Sequence, residues 1–151
     1  MSQSADDFLA SHELLTLATS SLSGEPHACS VFYAADGTTI FFSVAPNSQS
    51  HKNLKENPRA SIAVGDAPNE GEDWHAAKGI QITGDVTDID GDEEAAAGAK
   101  VAARYAYLDD VFSSGDFFRL DHTEIHYVDN AEDGDEHFDA LGVSWQRQTV
   151  S

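Results

Sequence analysis

The sequence predicts a mainly β fold of the α+β class: a six-stranded antiparallel barrel with helical insertions. Three observations carry this reading. Six runs rich in apolar and β-branched residues read as strands, whereas only one long segment has strongly helical composition. The order is helix, three strands, short helix, two strands, long helix, strand and tail, which lacks the strand–helix alternation of a doubly wound sheet. Turn residues such as Asp36-Gly37 fall between strand-like runs and close hairpins.

Taken in order, Ser4 caps a short amphipathic helix that turns Phe8 and Leu9 inward. LLTLATSS (14–21) is apolar and β-branched, SGEP (23–26) is a turn, and HACSVFYA (27–34) is a second strand. ADG (35–37) leads into TTIFFSV (38–44). Residues 47–56 have helical composition, and Asn57-Pro58 ends that helix because proline pushes its predecessor out of the α region. RASIAVGD (59–66) is the fourth strand and APNEGED (67–73) a polar loop. In KGIQITGDVTDI (78–89), Ile80, Ile82 and Val86 alternate with polar neighbours, the period of a half-buried strand. Residues 92–108 read as the long helix, with acidic residues at its positive end and Lys100 and Arg104 later. SSGDF (113–117) suggests a turn, and FFRLDHTEIHYVDN (117–130) is a long strand. The tail, 131–151, has no clear assignment.

At 151 residues, one domain spanning 1–151 is expected. No apolar run is long enough for a membrane span, and the acidic N-terminus has no signal-peptide pattern. A single cysteine suits a reducing compartment, so a cytoplasmic location is expected. The charge is the outlier: 27 Asp plus Glu against 8 Lys plus Arg give a formal net charge of −19. Such a surface repels phosphate backbones and anionic lipid, which argues against nucleic-acid and membrane partners. The acidity is spread along the chain, which points to a high-salt solubility adaptation ahead of an acidic docking patch.

Against that background, the segment between FFSV and ASIAV is unusual. It is dense in Ser, Asn and Gln and holds half of the chain's lysines, Lys52 and Lys55, beside His51. Ser48, Gln49 and Ser50 can donate hydrogen bonds at a helix start, and His51 and Lys52 can supply positive charge. Two readings stand: an anion-binding turn, or a capped helix start with solvated lysines.

The order of segments, and above all NLKENPRASIAV and KGIQITGDV, resembles the pyridoxamine 5′-phosphate oxidase-like FMN-binding split-barrel superfamily. The first piece is similar to the N-L-x-x-N-P signature preceding an apolar strand, the second to the strand whose glycine lies near the flavin. FFRLDHTEIHYVDN is similar to the last barrel strand of small members. The resemblance implies a six-stranded split β-barrel and a homodimer with FMN at the interface, contacted by both chains. It implies that the segment before N-P wraps the FMN phosphate through Ser48, Gln49, Ser50, His51 and Lys52. It also places the isoalloxazine edge along the strand backbone at His27, Ala28, Cys29, Ser30 and Val31, with Phe42 and Ser43 nearby. Lys78 reaches the phosphate or a flavin carbonyl, or else guards a strand end. Gln81 bonds the ring or faces solvent. Family oxidases carry Arg where this chain has His27 and Lys where it has Phe32. Their adjacent Arg and Lys of the phosphate loop, and their Arg-rich C-terminal motif, are likewise not matched.

Other constellations read as structural. Cys29 shares a strand face with His27, but a small buried core residue explains it better than a catalytic thiol. His122 and His126 would share a face of a regular strand, yet no further ligand follows at zinc spacing. They read as surface histidines, as do His12, His75 and His137, and no metal is expected. The resulting expectation is an FMN-dependent oxidoreductase acting on an unknown small molecule, with the redox chemistry carried by the cofactor and no assigned catalytic residue. The alternative is a non-catalytic binder of flavin, deazaflavin or haem used for storage or stress.

Overall fold

The computed structural model describes residues 5–66, 70–71, 77–108, 115–129 and 148–150. Six strands form a closed antiparallel barrel: β1 (Leu14–Ser20), β2 (Pro26–Asp36), β3 (Thr39–Val44), β4 (Arg59–Asp66), β5 (Lys78–Asp88) and β6 (Asp116–Asp129). The strand order is β3-β2-β1-β4-β5-β6, and pairing of β3 with β6 closes the ring. A short β7 (Gln148–Val150) adds to β6 opposite Ile125 to Tyr127. Its three residues fall in the tail that the sequence left unassigned.

Alternation writes the barrel. Leu15 and Leu17 on β1, Ile62 and Val64 on β4, and Ile80 and Ile82 on β5 point into the core. Two helices close opposite ends of the barrel. At one end, α1 (Ala5–Ala10) inserts Phe8 and Leu9, both fully buried, and the Tyr33 hydroxyl donates to the Leu9 carbonyl at 2.6 Å. Phe8 meets Tyr127 edge-on there. At the other, α2 (Gln49–Glu56) buries Ser50, Asn53 and Leu54. Ser48 caps α2, its oxygen accepting from the His51 N–H at 3.2 Å, and Asn57 leaves the helix in an extended conformation before Pro58.

The third helix, α3 (Gly91–Arg104), lies outside the barrel and seals a second core of Ala34, Phe41, Val101, Tyr105 and Phe117. The helix expected over 92–108 ends at Arg104, and a 3₁₀ turn covers Ala106–Leu108. Tyr105 breaks the helix because its side chain is drawn inward. Its hydroxyl donates to the Tyr33 carbonyl at 2.7 Å, with the Glu13 carbonyl 3.1 Å away. Arg104 covers the rings of Tyr33 and Tyr105 and donates to the carbonyls of Tyr33 and Ala10. Together they fasten α3, α1 and β2.

A bulge breaks the register of β5 and β6: Thr83 faces Glu124, but Gly84 faces His122. Gly84 has no room for a side chain, since a Cβ would lie 2.0 Å from the Asp121 carbonyl oxygen.

Candidate functional site

The outer face of the barrel divides in two. Over β2, β3 and the start of β6 it lies beneath α3. Over β1, β4 and β5 no described helix covers it, and the outward side chains at the middle of β1 and β4 are small. The registers align them in two rows: Ala28, Ala18, Ser61, Thr83 and Glu124 in one, Ser30, Thr16, Ala63, Gln81 and His126 in the other. A groove of about 440 Å³ follows these rows from Thr16 and Ala18 to Glu124 and His126. Ala18, Ser61 and Thr83 also line an adjoining groove of about 370 Å³ that runs to Asn57 and Arg59 at the end of α2. On β1 and β4 the row side chains are no larger than threonine and leave the strand backbone open to a flat ligand, while Gln81, Glu124 and His126 form one wall of the groove.

Of the residues expected at a site, Ala28, Ser30 and Gln81 belong to these rows. Cys29 and Val31 point the other way and pack on the barrel core, and Phe42 is fully buried within it. Ser43 lies under Gly115, where an added Cβ would come 1.9 Å from its Oγ. His27 is half-buried opposite Thr19. Lys78 stands at the start of β5 opposite Asp66, five residues or roughly 17 Å along the strand from Thr83. The structure therefore does not bring Lys78 to α2.

The first turn of α2 meets β2, where Ser50 Oγ lies 3.1 Å from Cys29 Sγ. Asn47, just before the cap, takes φ 64°, a left-handed conformation that asparagine tolerates. Gln49 donates to the Asn53 side-chain oxygen at 2.9 Å. His51 is largely buried, with Nε2 2.6 Å from Oδ2 of Asp116 at the start of β6. Lys52 is exposed and has no ion-pair partner among the described residues. One turn later Lys55 pairs with Asp88, whose hydrogen bond raises the lysine pKa. Beyond the helix, Arg59 lies 3.7 Å from Asp85.

The bulge sends His122 and His126 to different environments, against the shared face of a regular strand. His122 Nδ1 lies 3.2 Å from the Thr38 hydroxyl, whereas His126 stands in the groove wall with Nε2 bonded to Glu124. Nδ1 of His126 is buried without a hydrogen-bond partner among the described residues. No cluster of three or more His, Cys, Asp or Glu suited to a metal ion occurs among the described residues. No helix among them is long and apolar enough to cross a membrane.

Sequence reasoning misses Thr16, Ala18, Ser61, Ala63, Thr83 and Glu124, and reads His126 as a surface histidine. A signal was present in the small-large-small alternation of Thr16-Leu17-Ala18 and Ser61-Ile62-Ala63.

Solved structures share this architecture. A heme binding protein from Mycobacterium smegmatis superposes with a TM-score of 0.72 at 26% identity, over 100% of this chain and 59% of that one. This chain thus spans under two thirds of that protein. HutZ, the heme storage protein from Vibrio cholerae, gives 0.68 at 20% identity, over 79% of this chain and 88% of that one. A FAD-binding protein from Mesorhizobium loti gives 0.64 at 16% identity, over 78% and 86%. No curated protein matches the sequence. The family profile described as pyridoxamine 5′-phosphate oxidase matches residues 1–129, from the first helix to the end of the barrel. With the closed barrel, that match over most of the sequence identifies the chain as a member of the pyridoxamine 5′-phosphate oxidase family.

Proposed function

We propose that this chain is a flavoprotein that binds FMN on the outer face of β1, β4 and β5 and acts as an oxidoreductase on a small molecule. The observation that carries this reading is the double row of small side chains. A planar tricyclic ring needs a flat surface with reachable main chain, and the face from Ala28 to Thr83 offers one. Gln81 and Thr83 present hydrogen-bonding groups for the edge of such a ring. Ser48 and the exposed Lys52 are the groups of α2 available to a phosphate. When bound, the flavin supplies hydride or electron transfer; the chain contributes binding, orientation and exclusion of water. A second copy covering this face, with Leu14 half-exposed beside it, completes the enclosure in this proposal. The test is titration of the apo-protein with FMN, followed by flavin fluorescence. Saturation at one FMN per chain supports the reading, and absence of saturable binding at both low and molar salt ends it. Oxidation of NAD(P)H by the loaded protein then separates an oxidoreductase from a binder.

A second reading, a haem binder, is favoured by His126. A histidine in a groove wall whose one ring nitrogen is bonded to a carboxylate has the support common among metal-ligating histidines, and its ring would turn to bring Nδ1, buried here, to the iron. The neighbours named as heme binding and heme storage proteins agree with it. A Soret band that titrates with haem and is lost in His126→Ala selects this reading.

A further inference from the structure

We infer that the binding energy of this site for a flavin resides in the ring, so that the chain takes unphosphorylated riboflavin nearly as well as FMN. The inference rests on the proposed flavin site and names its ligand class more closely.

It follows from the commitments of the positive charges. Lys55 is bound to Asp88, Arg59 faces Asp85, Lys100 faces Asp36, and Arg119 is held by Glu93 and Asp121. Arg104 is spent on backbone carbonyls of α1 and β2. Lys78 has its own interaction and stands at the end of β5 away from α2. Arg147 lies outside the described residues. Lys52 is therefore the one described lysine or arginine left for a phosphate. A second copy of the chain brings the same commitments with it.

Apart from the Ser48 hydroxyl, the other side chains of the segment are also occupied, Gln49 by Asn53. His51 points its Nε2 at Asp116, which sets a carboxylate beside the first turn of α2, where a dianion would have to sit. Ser50 is buried against Cys29. Of charged groups, a phosphate here meets one solvated ammonium and one nearby anion, in a protein of net charge −19. An exposed ion pair contributes up to about fivefold in affinity at low salt, and salt screens it. The uncharged ring and its small-residue floor are untouched by either effect.

The experiment measures the dissociation constants of FMN and riboflavin for the apo-protein by flavin fluorescence, at low and at molar salt. The expected ratio favours FMN by less than about fivefold at low salt and approaches one at molar salt. A preference for FMN of about tenfold or more at either salt overturns the inference and leaves the flavin site standing. If neither flavin binds, the flavin reading itself falls, and the inference with it. Asp116→Asn removes the carboxylate and frees His51, so it should raise the ratio toward FMN. Riboflavin binding by the same variant reports that it is folded, and an unchanged or lower ratio overturns the role given to Asp116.

Discussion

Asn53 Nδ2 lies 3.1 Å from Thr19 Oγ1, and both side chains are buried. The bond fastens α2 to β1 at the barrel end, and Gln49 fills the Asn53 carbonyl oxygen. Asn53→Ala strands the Thr19 hydroxyl without its donor, an expected loss of about 1–3 kcal/mol. Because the two groups serve each other, Asn53→Ala and Thr19→Val should cost less together than the sum of their separate costs. Urea unfolding of the four proteins of that cycle measures the coupling. Strict additivity would show that the bond holds nothing.

Two glycines face different obstacles. At Gly84 an added Cβ meets the backbone of Asp121, at 2.0 Å from its oxygen and 2.8 Å from its carbon. At Gly115 it meets the Ser43 side chain, 1.9 Å from Oγ and 3.2 Å from Cβ. Gly84→Ala therefore forces the β5–β6 bulge apart, at an expected cost of about 3 kcal/mol or more. Gly115→Ala is largely relieved by Ser43→Gly, which leaves only a 3.3 Å approach to the Val44 carbonyl oxygen, whereas no side-chain change relieves Gly84→Ala. Thermal melts of the single and double variants decide this; an uncorrected loss in Gly115→Ala with Ser43→Gly contradicts it.

What the sequence showed, and what it hid, follows from the range of the forces. Asn57-Pro58 and the alternation of Ile80 and Ile82 are local, and both elements end or face as read. The end of α3 was hidden because Tyr105-Ala106-Tyr107 continues a helix on local preference, and only the distant carbonyls of Tyr33 and Glu13 pull Tyr105 out of it. His122 and His126 lost their common face to a bulge set by the tight approach of Gly84 to Asp121, which spacing alone does not reveal. The β7 strand is three residues held by pairing with β6. The floor of the site is made mostly of alanine, serine and threonine, which carry no chemical signature. Barrel closure, which places β1 between β2 and β4, is what turns them into a surface.

Tyr33 ties stability to alkaline pH. Burial, partly offset by the charge of Arg104, pushes its pKa from 10.0 up to about 12. The unfolded chain therefore gives up this proton first, and between pH 10 and 12 the folded state binds more protons than the unfolded state. The contribution is complete below pH 10 and is lost as pH rises through about 12. Burial raises Tyr105 as well, so Tyr33→Phe should make the decline shallower without removing it. Urea midpoints measured between pH 9 and 12 test the slope; equal slopes in wild type and Tyr33→Phe contradict the assignment.

The acidic surface predicts the response to salt. The described lysine–carboxylate pairs, Lys55 with Asp88 and Lys100 with Asp36, are substantially exposed, and such pairs contribute little. Repulsion within a net charge of −19 outweighs them, and salt screens it. The melting temperature should stay level or rise from low to molar salt. A steep fall would mean that ion pairs hold the fold and that the acidity is no salt adaptation.

Ala63 gives the most direct test of the groove. It is exposed at the middle of a row, between Thr16 and Gln81, with no core packing to lose. Ala63→Trp should change stability by no more than about 0.5 kcal/mol, yet its ring occupies the space a flavin or porphyrin needs. Saturable binding of either ligand should disappear. Thr87→Trp, also exposed on β5 but outside the groove, should leave binding intact. Sedimentation of both variants separates two causes of a loss. If Ala63→Trp blocks binding in a chain whose oligomeric state matches the wild type, the indole displaces the ligand itself. If the assembly also comes apart, the same face joins two copies, and the ligand depends on that junction. Full binding by Ala63→Trp would show that the face does not hold the cofactor, whichever cofactor it is.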